Sequence, residues 1–62
     1  MNKLKELRIK KGLSQLQLSY KAGMSQGAIS NLENGKVFAY DGWKKKLAEI
    51  LEVSEEEIFP NE

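Results

Sequence analysis

The chain has no cysteine, no histidine and a single proline among its 62 residues. Without cysteine it forms no disulfide and no thiolate metal site, and without histidine it lacks the commonest general base and metal ligand. The remaining residues form no nucleophile–base set, no metal-binding cluster and no phosphate-binding loop. We therefore expect a protein that is not an enzyme, has no catalytic residues, and uses no metal, cofactor or small-molecule ligand.

Long hydrophobic runs are absent as well. No apolar run approaches the roughly 18 residues of a membrane span, and residues 1–20 alternate apolar with charged residues, unlike a signal peptide. We expect no membrane partner and a cytoplasmic location, associated with a bacterial or phage nucleoid. A chain this short holds one domain, taken as residues 1–62, whose core alone rarely supplies more than about 3–5 kcal/mol.

Charge is unevenly distributed along the chain. Residues 1–46 carry all ten basic side chains against three acidic ones, a balance of +7. Residues 47–62 carry six glutamates and no lysine or arginine, a balance of −6. The net charge of +1 therefore hides a basic part that could attract nucleic acid, although a solvated surface with uneven charge gives the same count.

Helix start and stop signals fill the chain, and no strand pattern occurs. Ser14 with Gln17, and Ser54 with Glu57, have the spacing of a capping box. Glycine after a polar or basic last turn predicts helix ends. The candidate N-caps are Asn2, Ser14, Ser25, Asp41 and Ser54, and the candidate stops are Gly12, Gly23 and Gly35. These signals predict an all-α fold of five short helices.

Residues 14–34 have the pattern of a helix-turn-helix, two short helices across a tight turn that contains Gly23. At 100° per residue, Ala28, Ile29 and Leu32 fall on the inner side of the second of these helices. Its outer side carries Gln26, Gly27, Ser30, Asn31 and Asn34. An outer face of small amides and hydroxyls, without charge, is suited to read base edges in a DNA major groove.

These residues resemble the Xre family, the lambda-type phage repressor and Cro domains. The resemblance covers nearly the whole chain and rests on Leu7-Arg8, Gly12-Leu13-Ser14-Gln15, Leu18, Gly23, Ser25, Ile29-Ser30, Leu32-Glu33-Asn34-Gly35-Lys36, Leu47-Ala48, Leu51, Val53-Ser54 and Ile58-Phe59. It implies a compact five-helix bundle and sequence-specific binding of double-stranded DNA. It also implies control of transcription, usually as a repressor that binds a two-fold operator as a homodimer, with the dimer contact expected near Leu51–Phe59.

The candidate site residues fall into three groups. Position on the outer face assigns base reading to Gln26, Ser30 and Asn31. Contacts with the DNA backbone are expected from Gln15, Ser25, Asn34, Lys36 and Lys44; for Gln15 that role follows from the resemblance. The resemblance also implies a partly buried structural ion pair between Arg8 and Glu33, which would fix the reading helix on its scaffold.

Several positions depart from the family pattern. Gly27 stands where many relatives carry a base-reading side chain, so it either admits the DNA backbone closely or marks a lost contact. Lys44 and Lys45 replace leucine at the start of the fourth helix, where Tyr40 and Trp43 could supply packing. Leu16 and Tyr20 form an apolar pair on a face expected to be wet. An alternative function is therefore a protein-interaction module on the same fold, an antitoxin-like or antagonist partner with weak DNA binding.

Overall fold

The computed structural model describes residues 2–60, which form five α-helices joined by short connections and contain no strand within that range. In chain order the helices are α1 (Leu4–Lys10), α2 (Gln15–Ala22), α3 (Gln26–Glu33), α4 (Asp41–Leu51) and α5 (Glu55–Ile58). The all-α, five-helix architecture expected from the sequence is confirmed. The predicted helix-turn-helix corresponds to α2 and α3.

Serine side chains begin α2 and α3 as the sequence predicts. Ser14 Oγ accepts a hydrogen bond of 3.0 Å from the backbone N–H of Gln17, and Gln17 Oε1 accepts one of 2.8 Å from Ser14 N–H, which completes a capping box. Ser25 Oγ accepts a 3.0 Å hydrogen bond from Ala28 N–H. Each cap satisfies amides that the helix itself leaves without a partner.

The other helix starts differ from the prediction in detail. Ser54 Oγ accepts from Glu57 N–H at 3.3 Å, but the Glu57 side chain makes no return bond, so only half of that capping box forms. Tyr40, not Asp41, occupies the N-cap of α4, and its side chain caps nothing. Asp41 is the first helical residue, where a carboxylate is still favoured by the helix dipole.

Asn2 ties the beginning of α1 to the end of α3. Its Oδ1 accepts a 3.0 Å hydrogen bond from Leu4 N–H, and its Nδ2 donates a 2.7 Å hydrogen bond to the backbone carbonyl of Leu32. Lys3, not Asn2, is the formal N-cap of α1. Asn2 therefore caps the helix from one residue further out and also connects two helices.

Helices α1 to α4 all end in a Schellman motif, in which the first or second residue after the helix turns into the left-handed region and two consecutive N–H groups bond back to the last turn. The residues with positive φ are Gly12, Gly23, Gly35 and Glu52. The three glycines are those the sequence predicts as stops. Glu52, at φ 58°, was not predicted because it is not one of the residue types that mark such a turn.

An ion pair accompanies the unusual turn at Glu52. The Lys11 ammonium donates to the Glu52 carboxylate, which connects the end of α1 to the end of α4. This hydrogen bond and the nearby positive charge lower the pKa of Glu52 below its usual value. Both side chains are accessible to solvent, so the pair contributes little to stability.

The core lies where the apolar faces of all five helices meet. Its fully buried large side chains are Leu4, Leu18, Ile29, Leu32, Leu47 and Ile58. Helix α3 packs against α2 and α1, and α4 packs against α2 and α5. Ala39, in the connection before α4, is also buried, although the sequence predicted only a loop there. The inner side of α3 is thus anchored and its outer side is left to solvent.

Arg8 and Glu33 form the expected ion pair between α1 and α3. Arg8 Nε lies 2.5 Å from Glu33 Oε2, and Arg8 Nη2 donates to Glu33 Oε1 at 3.4 Å. Arg8 Nη1 also donates to the backbone carbonyl of Leu13 at 2.8 Å. The two side chains are only 9% and 2% exposed. One buried guanidinium therefore holds α1, the connection to α2 and the end of α3 together.

We predict that Glu33→Ala lowers the free energy of unfolding by about 3–5 kcal/mol, because it leaves Arg8 buried without its counter-charge. That loss equals the whole stability that a domain of this size usually has, about 3–5 kcal/mol, so the variant should be largely unfolded. Denaturant unfolding followed by circular dichroism measures it. Glu49→Ala, at an exposed position of α4, is the control and should change stability by no more than about 0.5 kcal/mol. A Glu33→Ala variant as stable as the parent would contradict the role of the pair.

Candidate nucleic-acid interface

The outer face of α3 is exposed, polar and uncharged. Gln26, Gly27, Asn31 and Asn34 are exposed, and Ser30 is half-buried. The opposite face is packed into the core through Ile29 and Leu32, so α3 cannot rotate without breaking the core. The base-reading residues expected from the sequence therefore lie together on one fixed surface.

The N-terminus of α3 offers unpaired backbone donors beside that surface. The Ser25 side chain occupies only the N–H of Ala28. The N–H groups of Gln26 and Gly27 belong to the first turn, where an α-helix has no carbonyl to pair with them. These donors and the positive end of the helix dipole favour an anion next to Ser25.

After α1, α2 and α4, the residue that corresponds to Lys36 is apolar. In the Schellman motif that ends α3, Lys36 N–H donates to the carbonyl of Asn31 at 2.9 Å. The equivalent residues after α1, α2 and α4 are Leu13, Met24 and Val53, and all three pack against the core. Only Lys36 is exposed and basic there. Its backbone is held at the end of the outer face while its ammonium remains free to bind an anion.

Asn34 and Ser30 are neighbours at the C-terminal end of the outer face. Asn34 Nδ2 donates to Ser30 Oγ over 3.5 Å, a long hydrogen bond on an exposed surface. The Ser30 hydroxyl keeps its own proton to donate elsewhere. The two side chains therefore support each other without losing their capacity to bind a ligand.

Gln15 lies beside the end of α3 although it begins α2. Its side chain is half-buried, and its Nε2 donates to Glu33 Oε1 at 3.0 Å. The sequence placed Gln15 at a helix N-terminus but did not predict this contact, because it depends on how α2 and α3 cross. The expected backbone-binding residue is thus joined directly to the buried ion pair.

Lys44 requires a correction. It was expected to contact the DNA backbone from an exposed basic run, yet only 9% of it is exposed. Its ammonium lies 5.9 Å from the ring centroid of Phe38 and 5.8 Å from that of Phe59, within cation–π distance of both. The aliphatic stem of Lys44 fills the position where leucine was expected. Lys45 and Lys46 are the exposed cations of this run.

The aromatic residues around α4 and α5 differ from one another in burial. Phe59 is buried and Trp43 half-buried, as expected of residues that support the core. Tyr40 contacts Trp43 edge to face, with ring centroids 5.3 Å apart, but is 69% exposed. Phe38 is 72% exposed. The connection between α3 and α4 therefore presents two large aromatic rings to solvent.

The segment around α5 carries a cluster of exposed carboxylates. Glu52, Glu55, Glu56 and Glu57 are all exposed around α5. Leu51, Ile58 and Phe59, the apolar residues of the same segment, are buried in the core of the protomer. The acidic C-terminal segment of the sequence thus forms an acidic surface, and the interface candidates come from the basic segment, residues 1–46.

Comparison with known families agrees with this geometry. A family model described as "Helix-turn-helix domain" matches residues 1–62. The chain belongs to this helix-turn-helix family. The family is one of the Xre and lambda-repressor-like group, so the resemblance expected from the sequence is confirmed. Its members use the motif to bind DNA, which gives the coarse function of this chain.

No curated protein matches the sequence. In the part of the chain that the structure describes, no helix has the length and apolar character needed to cross a membrane.

A substitution at Gly27 tests how closely the outer face of α3 approaches bound DNA. A Cβ built on Gly27 lies 3.9 Å from Ser25 Oγ and meets nothing closer, so the free protein has room for alanine. We predict that Gly27→Ala raises the free energy of unfolding by up to about 1 kcal/mol, because glycine is a poor helix former. We also predict weaker DNA binding, because the added methyl group lies on the outer face of α3 and would keep bound DNA at a greater distance.

Gly42→Ala is the matched control for that prediction. Gly42 is the second residue of α4, as Gly27 is of α3, and a Cβ there meets nothing within 4 Å. It should gain similar stability and keep its DNA affinity. Denaturant unfolding and fluorescence anisotropy with a labelled duplex measure the two effects. Unchanged DNA binding by Gly27→Ala would instead identify Gly27 as a lost contact.

Proposed function

We propose that this protein is a sequence-specific double-stranded DNA-binding regulator of transcription that acts as a repressor, binding a two-fold operator as a homodimer. The observation that carries the proposal is the outer face of α3, a row of exposed amides and hydroxyls without charge, held rigidly by a buried ion pair. Occupying an operator is sufficient for repression, and it needs no second activity. The proposed location is the cytoplasm, with the bacterial or phage nucleoid.

Base reading is assigned to Gln26, Ser30 and Asn31. A glutamine or asparagine amide both donates and accepts, which matches the N7 acceptor and N6 donor of adenine in the major groove. Gln26 lies in the first turn of α3, and residues there reach base edges when such a helix enters the groove. Ser30 can donate to or accept from several bases and therefore adds less discrimination.

Contacts with the DNA backbone are assigned to residues around that face. Gln15 and Ser25 lie at the N-termini of α2 and α3, where free N–H groups favour phosphate. Asn34 and Lys36 lie at the other end of α3. Lys45 and Lys46 replace Lys44, whose burial leaves its ammonium poorly placed for phosphate.

The homodimer is supported by the small size of a single reading helix, which covers too few base pairs for useful specificity. Two copies about 34–36 Å apart would read successive major grooves. The segment 51–59 is a poor dimer surface, because its apolar side chains are already buried and its exposed ones are carboxylates. Val37, Phe38 and Tyr40 form a better candidate surface, since all three are exposed and apolar or aromatic.

The area of the surface formed by Val37, Phe38 and Tyr40 indicates how strongly two protomers can associate. An aromatic side chain buries about 150–250 Å² at most, so the three residues supply a few hundred Å² per protomer. A stable interface usually needs about 800 Å² from each partner. The protomers should therefore associate weakly in free solution and pair when one duplex holds both.

Salt dependence tests DNA binding and its stoichiometry together. With about three lysine–phosphate contacts per protomer, from Lys36, Lys45 and Lys46, the logarithm of the binding constant should fall with the logarithm of salt concentration with a slope of roughly −5 for a dimer and half that for a monomer. Fluorescence anisotropy with a labelled duplex over a salt series measures it. Failure to bind any duplex at low salt would contradict DNA binding and favour the protein-interaction module.

Two substitutions distinguish base reading from backbone binding. Gln26→Ala should cost about 1–3 kcal/mol on the best site and relax the preference at one base position. Lys36→Ala should weaken all sequences by similar factors and reduce the salt slope by about 1 per protomer. The measurement is the affinity of each variant for a selected operator and its single-base changes. If instead Lys36→Ala altered base preference and Gln26→Ala did not, the proposed placement of α3 in the groove would be wrong.

A further inference from the structure

We propose that Glu33 is a positioning residue for DNA binding, because its buried carboxylate orients the Gln15 amide toward a backbone phosphate. The inference rests on the proposed DNA-binding function and extends it to a residue that itself touches no DNA. It assigns to the Arg8–Glu33 pair a second role besides holding the fold together.

The geometry joins the three side chains through one carboxylate. Glu33 Oε1 accepts from Gln15 Nε2 at 3.0 Å and from Arg8 Nη2 at 3.4 Å, while Oε2 accepts from Arg8 Nε at 2.5 Å. The Glu33 side chain is 2% exposed. Gln15 is half-buried, so its amide lies between the buried pair and solvent. The Glu33 carboxylate is thus held in place by Arg8, and it in turn holds the Gln15 amide.

The hydrogen bond selects one orientation of the Gln15 amide. A primary amide has two N–H donors on one side and a carbonyl acceptor on the other. If the amide were flipped, its carbonyl oxygen would face the carboxylate and repel it. With one N–H bound to Glu33, the second N–H remains available and points in a fixed direction. Phosphate oxygens only accept hydrogen bonds, so a fixed donor is what they require.

Arg8 neutralises the negative charge of the Glu33 carboxylate, which would otherwise repel the DNA phosphates. A lone negative charge at this depth would repel the phosphates that Gln15 is proposed to bind. The guanidinium donates twice to Glu33 and once to the Leu13 carbonyl, and the two opposite charges make the pair neutral. Glu33 therefore directs the amide by a short-range hydrogen bond while its long-range field is cancelled.

The test replaces the ion pair without unfolding the protein. Glu33→Gln alone leaves Arg8 without its counter-charge, whereas replacing both members of a buried pair with apolar residues of similar size is often neutral or stabilising. The variants are Arg8→Met/Glu33→Met, Gln15→Ala, and the combination of all three. The double replacement removes one charge of each sign, so the net charge and its general attraction to DNA are unchanged.

Affinity for a short mixed-sequence duplex at low salt is the readout, at a temperature where circular dichroism shows every variant folded. Gln15→Ala should weaken binding roughly tenfold, the loss of one hydrogen bond to a charged group. Arg8→Met/Glu33→Met should lose a similar factor, and the triple variant should lose no more than Gln15→Ala alone. If the double replacement keeps the full affinity, or its loss multiplies with that of Gln15→Ala, Glu33 does not act through Gln15.

A measurement on the parent protein tests the same point if the double replacement does not fold. In a ¹⁵N-edited NMR spectrum the Nε2 proton of Gln15 that is bound to Glu33 should lie downfield of the corresponding proton of the exposed Gln26, and the other Nε2 proton should shift when duplex is added. Gln15 amide shifts equal to those of Gln26, or no response to bound duplex, would overturn the inference. A parent that binds no duplex at low salt would overturn the proposed function itself, so the two failures are distinguishable.

Discussion

The buried contact between Arg8 and Glu33 is the constraint on which the rest of this molecule depends. A domain of this size has only a few kcal/mol of stability, and one guanidinium bonds to α3, to the connection before α2 and, through its own helix, to the core. Asn2 adds a second link from α1 to the end of α3. The C-terminal half of α3 is thereby fixed by polar contacts, and its inner face is fixed by apolar packing.

This arrangement explains how so small a chain can present a defined binding surface. The caps at Ser25 and in the Schellman motif set the two ends of α3, and Lys36 follows where the other helices place an apolar residue. The exposed side chains between those ends are amides and hydroxyls without charge. Acidic side chains are concentrated at α5, where they leave the proposed DNA-binding side of the protein positive.

Sequence reasoning succeeded where the signal is local. The capping box of Ser14 and Gln17 and the glycine turns depend on neighbours within a few residues, and the inner face of α3 depends only on helical periodicity. It failed where a residue's state is decided by distant elements. Lys44 is buried because two phenylalanines from different segments enclose its ammonium. The bond from Gln15 to Glu33 likewise depends on how α2 and α3 cross, and the Arg8–Glu33 pair was expected only through the family resemblance.

The most direct test of the account is an NMR titration of the ¹⁵N-labelled protein with a duplex that carries its selected site. If α3 enters the major groove, the largest backbone amide shifts fall on Gln15, Gln26, Asn31 and Lys36, with little change in α5. Shifts concentrated around Glu55–Ile58, with α3 unaffected, would contradict the claim that the outer face of α3 is the DNA-binding surface.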